Sequence, residues 1–159
     1  ISGLTDPGFF DGSLEPLVAV RQAVGSPRPR KDFIVDEYQL LEARAAGADA
    51  ILLVVAALDD RALVSLSRTA RELGLAALVE VHDAFECGRA IDAGAGVVGV
   101  NSRNLRTLEV SLDVFGQVAP QIPRGVVAVA ARGLRSARGG CIPREKSKST
   151  PGAASRSIA

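Results

Sequence analysis

Polar side chains precede, interrupt or follow the short apolar runs that we interpret as strands in this 159-residue chain. They are Lys31, which precedes the run Phe33–Val35, and Glu80, His82, Asn101, Arg103 and Asn104. In parallel α/β proteins, functional residues gather at the carboxyl ends of strands, so these positions are the candidate site.

Glu80 is the most unusual of these residues, because it stands between Val79 and Val81 in an apolar run. Burying an unpaired carboxylate costs several kcal/mol, so Glu80 needs a partner or a substrate. Lys31 could be that partner. Two interpretations stay open: a structural ion pair, or an acid–base pair whose proximity and burial tune both pKa values for proton transfer.

The remaining candidates carry weaker signals. His82 is the only histidine, and a single histidine at a strand end is more often a hydrogen-bonded structural residue than a catalytic one. Asn101 and Arg103 follow Gly99-Val100 where a strand opens into a loop, which favours ligand contacts over a solvated face. The two cysteines, Cys87 and Cys141, lack metal-ligand spacing, so no metal site is predicted.

A repeated pattern must position these residues. A helical stretch, a glycine and an apolar run recur at residues 43–55, 70–81 and 90–100, with a looser copy at 123–129. The glycine suits the left-handed conformation that ends a helix, and the apolar runs suit strands buried on both faces. The pattern predicts an α/β fold with a parallel sheet. Asp83 with Glu86 predicts a capping box, and Asp36 with Gln39 a weaker one.

The composition indicates which classes of partner and which cellular environment are favoured. The 19 basic and 18 acidic residues nearly cancel, so the total charge suggests neither nucleic acid nor membrane as a partner. No apolar run reaches the roughly 18 residues of a membrane helix. The cysteine usage favours a reducing cytoplasm. The chain lacks methionine and begins with Ile1, which suggests a fragment of a longer protein.

The character of the chain changes after Leu134. Residues 135–159 hold six Arg or Lys against one acid, Glu145, and few large apolar side chains. Such a segment is predicted to be a disordered basic tail. Binding of nucleic acid is the less favoured interpretation of this tail, and a foreign end produced by a reading-frame change is the favoured one.

Several strings together resemble the indole-3-glycerol-phosphate synthase family. Residues 30–36 (RKDFIVD) are similar to its third-strand motif, 78–82 (LVEVH) to its fifth and 99–105 (GVNSRNL) to its sixth, while 2–7 (SGLTDP) resembles the end of its second strand. The resemblance implies a TIM (β/α)8-barrel of which residues 1–134 supply about six βα units. The first and eighth strands are missing.

The resemblance also implies an activity. The family converts 1-(2-carboxyphenylamino)-1-deoxyribulose 5-phosphate to indole-3-glycerol phosphate in tryptophan biosynthesis, with loss of carbon dioxide and water and no cofactor. By resemblance Lys31 is the general acid on the substrate carbonyl and Glu80 a proton-transfer group. The implied substrate contacts are Asn101, Arg103, Leu105, Phe33 and Phe10.

Departures from the family pattern predict that the chain alone is inactive. Residues 131–133 (ARG) replace a Glu-Ser-Gly at the seventh strand, and Arg28 and Pro29 replace apolar strand residues. Two missing strands leave a gap of roughly 10 Å, which predicts marginal stability or self-association through open edges. The alternative is a non-catalytic barrel remnant. The Lys31, Glu80 and Asn101 strings argue against phosphoribosylanthranilate isomerase, another barrel of the pathway.

Overall fold

The computed structural model describes residues 3–5, 12–13, 15, 18–19, 27–103, 111 and 113–131. Six parallel strands form one sheet in sequential order. The strands are β1 (Gly3–Leu4), β2 (Pro29–Lys31), β3 (Ala50–Val54), β4 (Ala76–Val81), β5 (Val97–Val100) and β6 (Val127–Ala130). The described helices are α1 (Glu37–Ala45), α2 (Asp60–Glu72), α3 (Ala84–Asp92) and α4 (Asp113–Val118), with 3-10 turns at Val55–Ala57 and Ala119–Gln121. The prediction of alternating helices and parallel strands is confirmed.

Glycines end the helices as predicted. Gly74 follows α2 and Gly94 follows α3, with φ angles of 70° and 78°. A side chain rarely adopts this left-handed conformation without strain, so glycine ends the helix and turns the chain towards the next strand.

The helices cover one face of the sheet. Leu63, Leu66 and Ala70 of α2 are buried at helical spacing, and they belong to the same core as Ile51 and Val79 from the strands. Because alternate residues of a strand point to opposite faces, their neighbours Leu52 and Glu80 point to the other, inner face. In the part of the chain that the structure describes, no helix is long and apolar enough to span a membrane.

The inner face is partly open at β6. Val127 and Val129 are 56% and 36% exposed. They pair with Val97 and Gly99 of β5, which point to the inner face, so both valines also point to that face. Apolar strand residues of a closed barrel would be covered by strands on both sides. The exposure fits the expectation of an incomplete barrel.

The second strand differs from the sequence prediction. The apolar run Phe33–Val35 is not a strand: β2 is Pro29–Lys31, and Phe33 and Val35 are 39% and 59% exposed. The carboxylate of Asp32 accepts a hydrogen bond from the Phe33 amide at 2.9 Å, which turns the chain directly after Lys31. Pro29 is the first residue of its strand, where a missing amide hydrogen is tolerated.

Arg28 and Arg30 stand in a short run of basic residues, yet each is only 4% exposed. Arg28 Nη2 lies 3.2 Å from Asp49 Oδ2. Arg30 Nη2 lies 2.7 Å from Asp32 Oδ2. Sequence reasoning missed both pairs, because arginine within a strand carries no signal of which face it will occupy.

The two predicted capping boxes differ from the prediction in which of them is complete. Asp36 and Gln39 form the complete, reciprocal box at the start of α1. At α3, Asp83 accepts from the Glu86 amide, but the Glu86 side chain reaches past Asp83 to the backbone of His82. The stronger sequence match is therefore the incomplete box, and its glutamate has a different role.

Candidate functional site

Lys31 and Glu80 lie at the same rim of the sheet. Lys31 is the last residue of β2 and Glu80 the next-to-last residue of β4. Arg30 donates to the Gln39 carbonyl of α1 at 2.8 Å and so faces the helices; its neighbour Lys31 must face the inner side. Val79 and Val81 are buried in the helix-side core, which turns Glu80 inward as well.

One strand separates the two side chains. Neighbouring strands are about 4.8 Å apart, so β2 and β4 lie roughly 10 Å apart across β3. Such a separation leaves room for a small molecule between an ammonium and a carboxylate. Lys31 is half-buried and Glu80 is 8% exposed.

Glu80 has a different partner from the one suggested by the sequence. Its Oε1 accepts a hydrogen bond from Asn101 Nδ2 at 2.8 Å. Within the described ranges no ion pair joins Glu80 to Lys31, so the structural ion-pair interpretation is not what the structure shows. Asn101 comes directly after β5 and is 4% exposed. Its backbone amide donates to the Val81 carbonyl at 2.9 Å.

Asn101 also holds the start of the loop after β5. Its Oδ1 accepts from the Arg103 backbone amide at 3.0 Å. The Arg103 Nε is buried and has no hydrogen-bond partner among the described residues. A buried donor without a partner is costly, so this nitrogen can donate to a water or to a ligand.

His82 and Glu86 extend this cluster. The Glu86 carboxylate accepts from the His82 amide at 2.7 Å and lies 3.1 Å from His82 Nδ1. This hydrogen bond raises the pKa of His82, against the opposing effect of burial. Burial alone would raise the pKa of Glu86, but its hydrogen bonds with His82 outweigh this and hold that pKa below its usual value.

Gly99 gives the inner face its room beside Glu80, with which it pairs across β4 and β5. A Cβ at Gly99 would lie 3.1 Å from Leu78 Cδ1. That spacing is tighter than ordinary van der Waals contact, so a larger residue here would crowd the site.

The other candidate residues divide into two groups. Phe33 lies just after β2 with its side chain exposed, and its backbone amide donates a hydrogen bond to the Asp32 carboxylate. Phe10 and Leu105 lie outside the described residues, as does the segment 135–159 and the pair Arg132-Gly133. Among the described side chains there is no group of three or more His, Cys, Asp or Glu placed to hold a metal ion.

Together, a parallel sheet covered by helices and a polar cluster at its carboxyl rim define an α/β-barrel type of protein. The model of the family "Indole-3-glycerol phosphate synthase" matches residues 1–139. The chain belongs to the indole-3-glycerol phosphate synthase family.

Curated relatives agree with this assignment. The indole-3-glycerol phosphate synthase of Kineococcus radiotolerans is 59% identical over 138 residues, which is 87% of this chain and 50% of that protein. The synthase of Parafrankia sp. is 55% identical over 138 residues, covering 87% of this chain and 52% of that protein. The chain therefore spans about half the length of the curated relatives it matches.

Solved structures show the same fold at low sequence identity. KGPDC from Streptococcus mutans has a TM-score of 0.63 at 13% identity, over 84% of this chain and 65% of that one. The 3-keto-L-gulonate-6-phosphate decarboxylase of Vibrio cholerae has a TM-score of 0.60 at 14% identity, over 74% and 58%. These likenesses confirm an incomplete α/β barrel and say nothing of the reaction.

Proposed function

We propose that the rim site is part of the active site of an indole-3-glycerol-phosphate synthase, a carboxy-lyase of cytoplasmic tryptophan biosynthesis. Its substrate is 1-(2-carboxyphenylamino)-1-deoxyribulose 5-phosphate, which undergoes ring closure with loss of carbon dioxide and water. The observation that supports this most is that Lys31 and Glu80 lie at the carboxyl ends of two strands of one parallel sheet, at the same rim.

The chemistry assigns different roles to the two residues. Ring closure places negative charge on the substrate carbonyl oxygen, and a positioned ammonium such as Lys31 stabilises that charge and donates the proton. Glu80, held by Asn101 at 2.8 Å, transfers a proton in the dehydration that follows. Arg103, whose Nε has no hydrogen-bond partner among the described residues, binds substrate beside Asn101.

Apolar side chains surround the anthranilate ring in this proposal. Phe33 is the described member of that wall and is 39% exposed, so it is accessible to a ligand. Phe10 and Leu105 are its other proposed members. The ligand is a phosphorylated small molecule, and neither nucleic acid nor membrane enters the proposal.

The chain alone is proposed to be inactive, since it spans about half of its relatives. A chimera tests the site independently of this: residues 1–130 would replace the matching segment of the Kineococcus radiotolerans synthase, so that the relative supplies the residues from position 131 onward. Turnover is followed by the fluorescence of the indole product. The chimera is expected to be active, and Lys31→Ala is expected to lower its rate by about 10²–10⁴-fold.

Arg68→Ala is the matched control, because Arg68 lies on the outer face of α2 with 66% of its side chain exposed. This variant should leave turnover unchanged. A folded chimera without activity, or one indifferent to Lys31→Ala, would refute the proposed function.

A non-catalytic remnant is the second candidate. The exposed Val127 and Val129 of β6 favour it, because they leave the inner face open. Ala131 supports it too, since this methyl side chain follows β6 where the resemblance implies a carboxylate. Turnover by the unmodified chain that disappears in Lys31→Ala would exclude the remnant and contradict the expected inactivity.

A further inference from the structure

His82 is fixed in the rim cluster by two contacts with one carboxylate. Glu86 accepts from the His82 amide at 2.7 Å and lies 3.1 Å from its Nδ1. An ionised carboxylate can only accept hydrogen bonds, so Nδ1 must carry a hydrogen. The second ring nitrogen, Nε2, is therefore the atom at which His82 gains or loses its proton.

The surroundings of Nε2 are unusual. It is buried and has no hydrogen-bond partner among the described residues. Its nearest ionisable neighbour there is Glu80, with Nε2 3.9 Å from Oε1. That distance exceeds a hydrogen bond, and a side-chain adjustment of under about 1 Å would close it.

Acidic groups dominate the charge around this ring. Glu80 acts on it from β4, while Asp83 and Glu86 act from the start of α3. The basic residues of this rim are Lys31, which is separated from Glu80 by β3, and Arg103, whose backbone amide donates to Asn101. The combined effect of the three acidic groups favours the imidazolium, which would carry its dissociable proton on the side of Glu80.

We propose that His82 is a positioning residue that acts through Glu80 as a proton relay, with Glu86 holding the ring in the required tautomer. This inference rests on the proposed function, in which Glu80 transfers a proton during dehydration. The structure supports it by the alignment of Glu86, His82 and Glu80 along one path through the imidazole.

The proposed step is a simple proton transfer. The Nε2–H bond of the imidazolium breaks and an O–H bond forms on Glu80, which leaves a neutral imidazole and a carboxylic acid. Glu80 then donates that proton to the substrate hydroxyl that leaves as water. A proton from solvent restores the imidazolium, so no other reactant is required.

The chain offers a direct test, because His82 is its only histidine. The NMR signal of its ring Cε1–H can be followed against pH in the complete chain without overlap from other histidines. Glu86→Gln is expected to lower the pKa of His82 most, and Glu80→Gln to lower it by about 0.5 unit or more. Glu72→Gln is the control, because Glu72 is 68% exposed on α2, and it should change nothing.

If the Glu80 carboxylate does not interact with the ring, Glu86→Gln shifts the pKa of His82 while Glu80→Gln and Glu72→Gln both give the wild-type curve, and that result overturns the relay. A purely electrostatic effect on a structural histidine is separated from a relay in the active chimera. There the relay predicts that His82→Gln removes one limb from the pH profile of kcat, and an unchanged profile overturns it. Should Glu80→Gln fail to fold, the Glu80 carboxyl carbon of the wild-type chain is titrated instead; a curve without an inflection at the His82 midpoint overturns the relay equally.

This test is separate from that of the proposed function. The titration needs no turnover. If His82 and Glu80 are coupled in the chain but the chimera is inactive, the proposed reaction is refuted, and the relay then has no reaction to serve. An active, Lys31-dependent chimera without that coupling removes only the relay.

Discussion

Two buried polar clusters lie on opposite faces of the same sheet and differ in how fully their atoms are paired. On the helix side, Arg30 Nε donates to Thr5 and Asp32, Nη1 donates to the Gln39 carbonyl, and Nη2 donates to Asp32. The second Asp32 oxygen accepts from the Phe33 amide. On the inner side, His82 Nε2 and Arg103 Nε have no hydrogen-bond partner among the described residues.

The difference separates a structural role from a functional one. A buried ion pair in which each nitrogen and oxygen has a partner fixes the relative positions of its elements and leaves little for a ligand to bind. Unsatisfied buried polar atoms are rare in folded proteins, and a water, an ion or a ligand can complete them. The Arg30 cluster therefore has a structural role, whereas the inner cluster keeps two nitrogens, His82 Nε2 and Arg103 Nε, that can bind a ligand.

The largest expected effect is on the helix-side cluster. Arg30→Met should lower the free energy of unfolding by about 3–5 kcal/mol, because it leaves the Asp32 carboxylate buried without its charge partner. Urea unfolding followed by circular dichroism measures this. In a chain of marginal stability the cooperative transition should disappear altogether.

A second variant shows whether the lost stability comes from the uncompensated charge. Asp32→Asn added to Arg30→Met removes that charge and should recover part of the loss. If the double variant is as unstable as the single one, the cluster acts through packing and the contrast between the two faces is wrong.

Asn101→Ala should have the next largest effect. It removes the donor of Glu80 and the acceptor of the Arg103 amide, and leaving buried partners unsatisfied costs about 1–3 kcal/mol. Gln121→Ala is the control, because Gln121 is exposed and its side-chain amide donates to the Gln117 carbonyl at 3.3 Å. A cost as small as that of Gln121→Ala would mean that the inner cluster is already solvated.

The sequence predicted the inner cluster better than the outer one. Glu80 and Asn101 stand out because each interrupts or ends an apolar run, and the register of parallel strands brings them together. The helix–glycine–strand repeat similarly predicted β5 to the residue, at Val97–Val100. Apolar runs and the glycines that end helices depend on neighbouring residues alone, so they can be recognised in the sequence.

Arg30 could not be predicted because its environment is built by distant residues. Its partner Thr5 is 25 positions away, and its site is completed by Gln39 and Glu42 of α1. The sequence showed only a cation in a basic run, which is usually exposed. The role of Glu86 was missed for a related reason, since its sequence spacing to Asp83 predicted a cap whereas its side chain binds His82.

The third prediction concerns pH, and its effect should be smaller than that of Asn101→Ala. The pKa of His82 is raised above 6.5, so its stabilisation is fully present below pH 6.5 and is lost as pH rises through the raised value. The pKa of Glu86 is lowered below 4.5, so its stabilisation is present above pH 4.5 and is lost as pH falls through the lowered value.

The His82–Glu86 pair should therefore stabilise the fold most between pH 4.5 and 6.5. Glu86→Gln should flatten the decline of the unfolding free energy on the alkaline side of this window, measured by urea titrations from pH 5 to pH 9. If the unfolding free energy of Glu86→Gln declines as steeply as that of the wild-type chain, other groups cause the pH dependence. His82 and Glu86 would then not form a stabilising charged pair.

The smallest expected change in stability is the sharpest test of the comparison. Glu80→Gln keeps an oxygen that can accept from Asn101 and removes a buried charge, so at pH 8 the unfolding free energy should be unchanged or higher by up to about 1 kcal/mol, as is common when a functional group is replaced. Glu42→Gln is the matched variant on the other face, since Glu42 Oε2 lies 3.5 Å from Arg30 Nη1. It should destabilise, because it weakens the compensation of a buried cation. If Glu80→Gln costs as much stability as Glu42→Gln, then Glu80 is a structural carboxylate like Asp32, and the two faces of the sheet do not differ in kind.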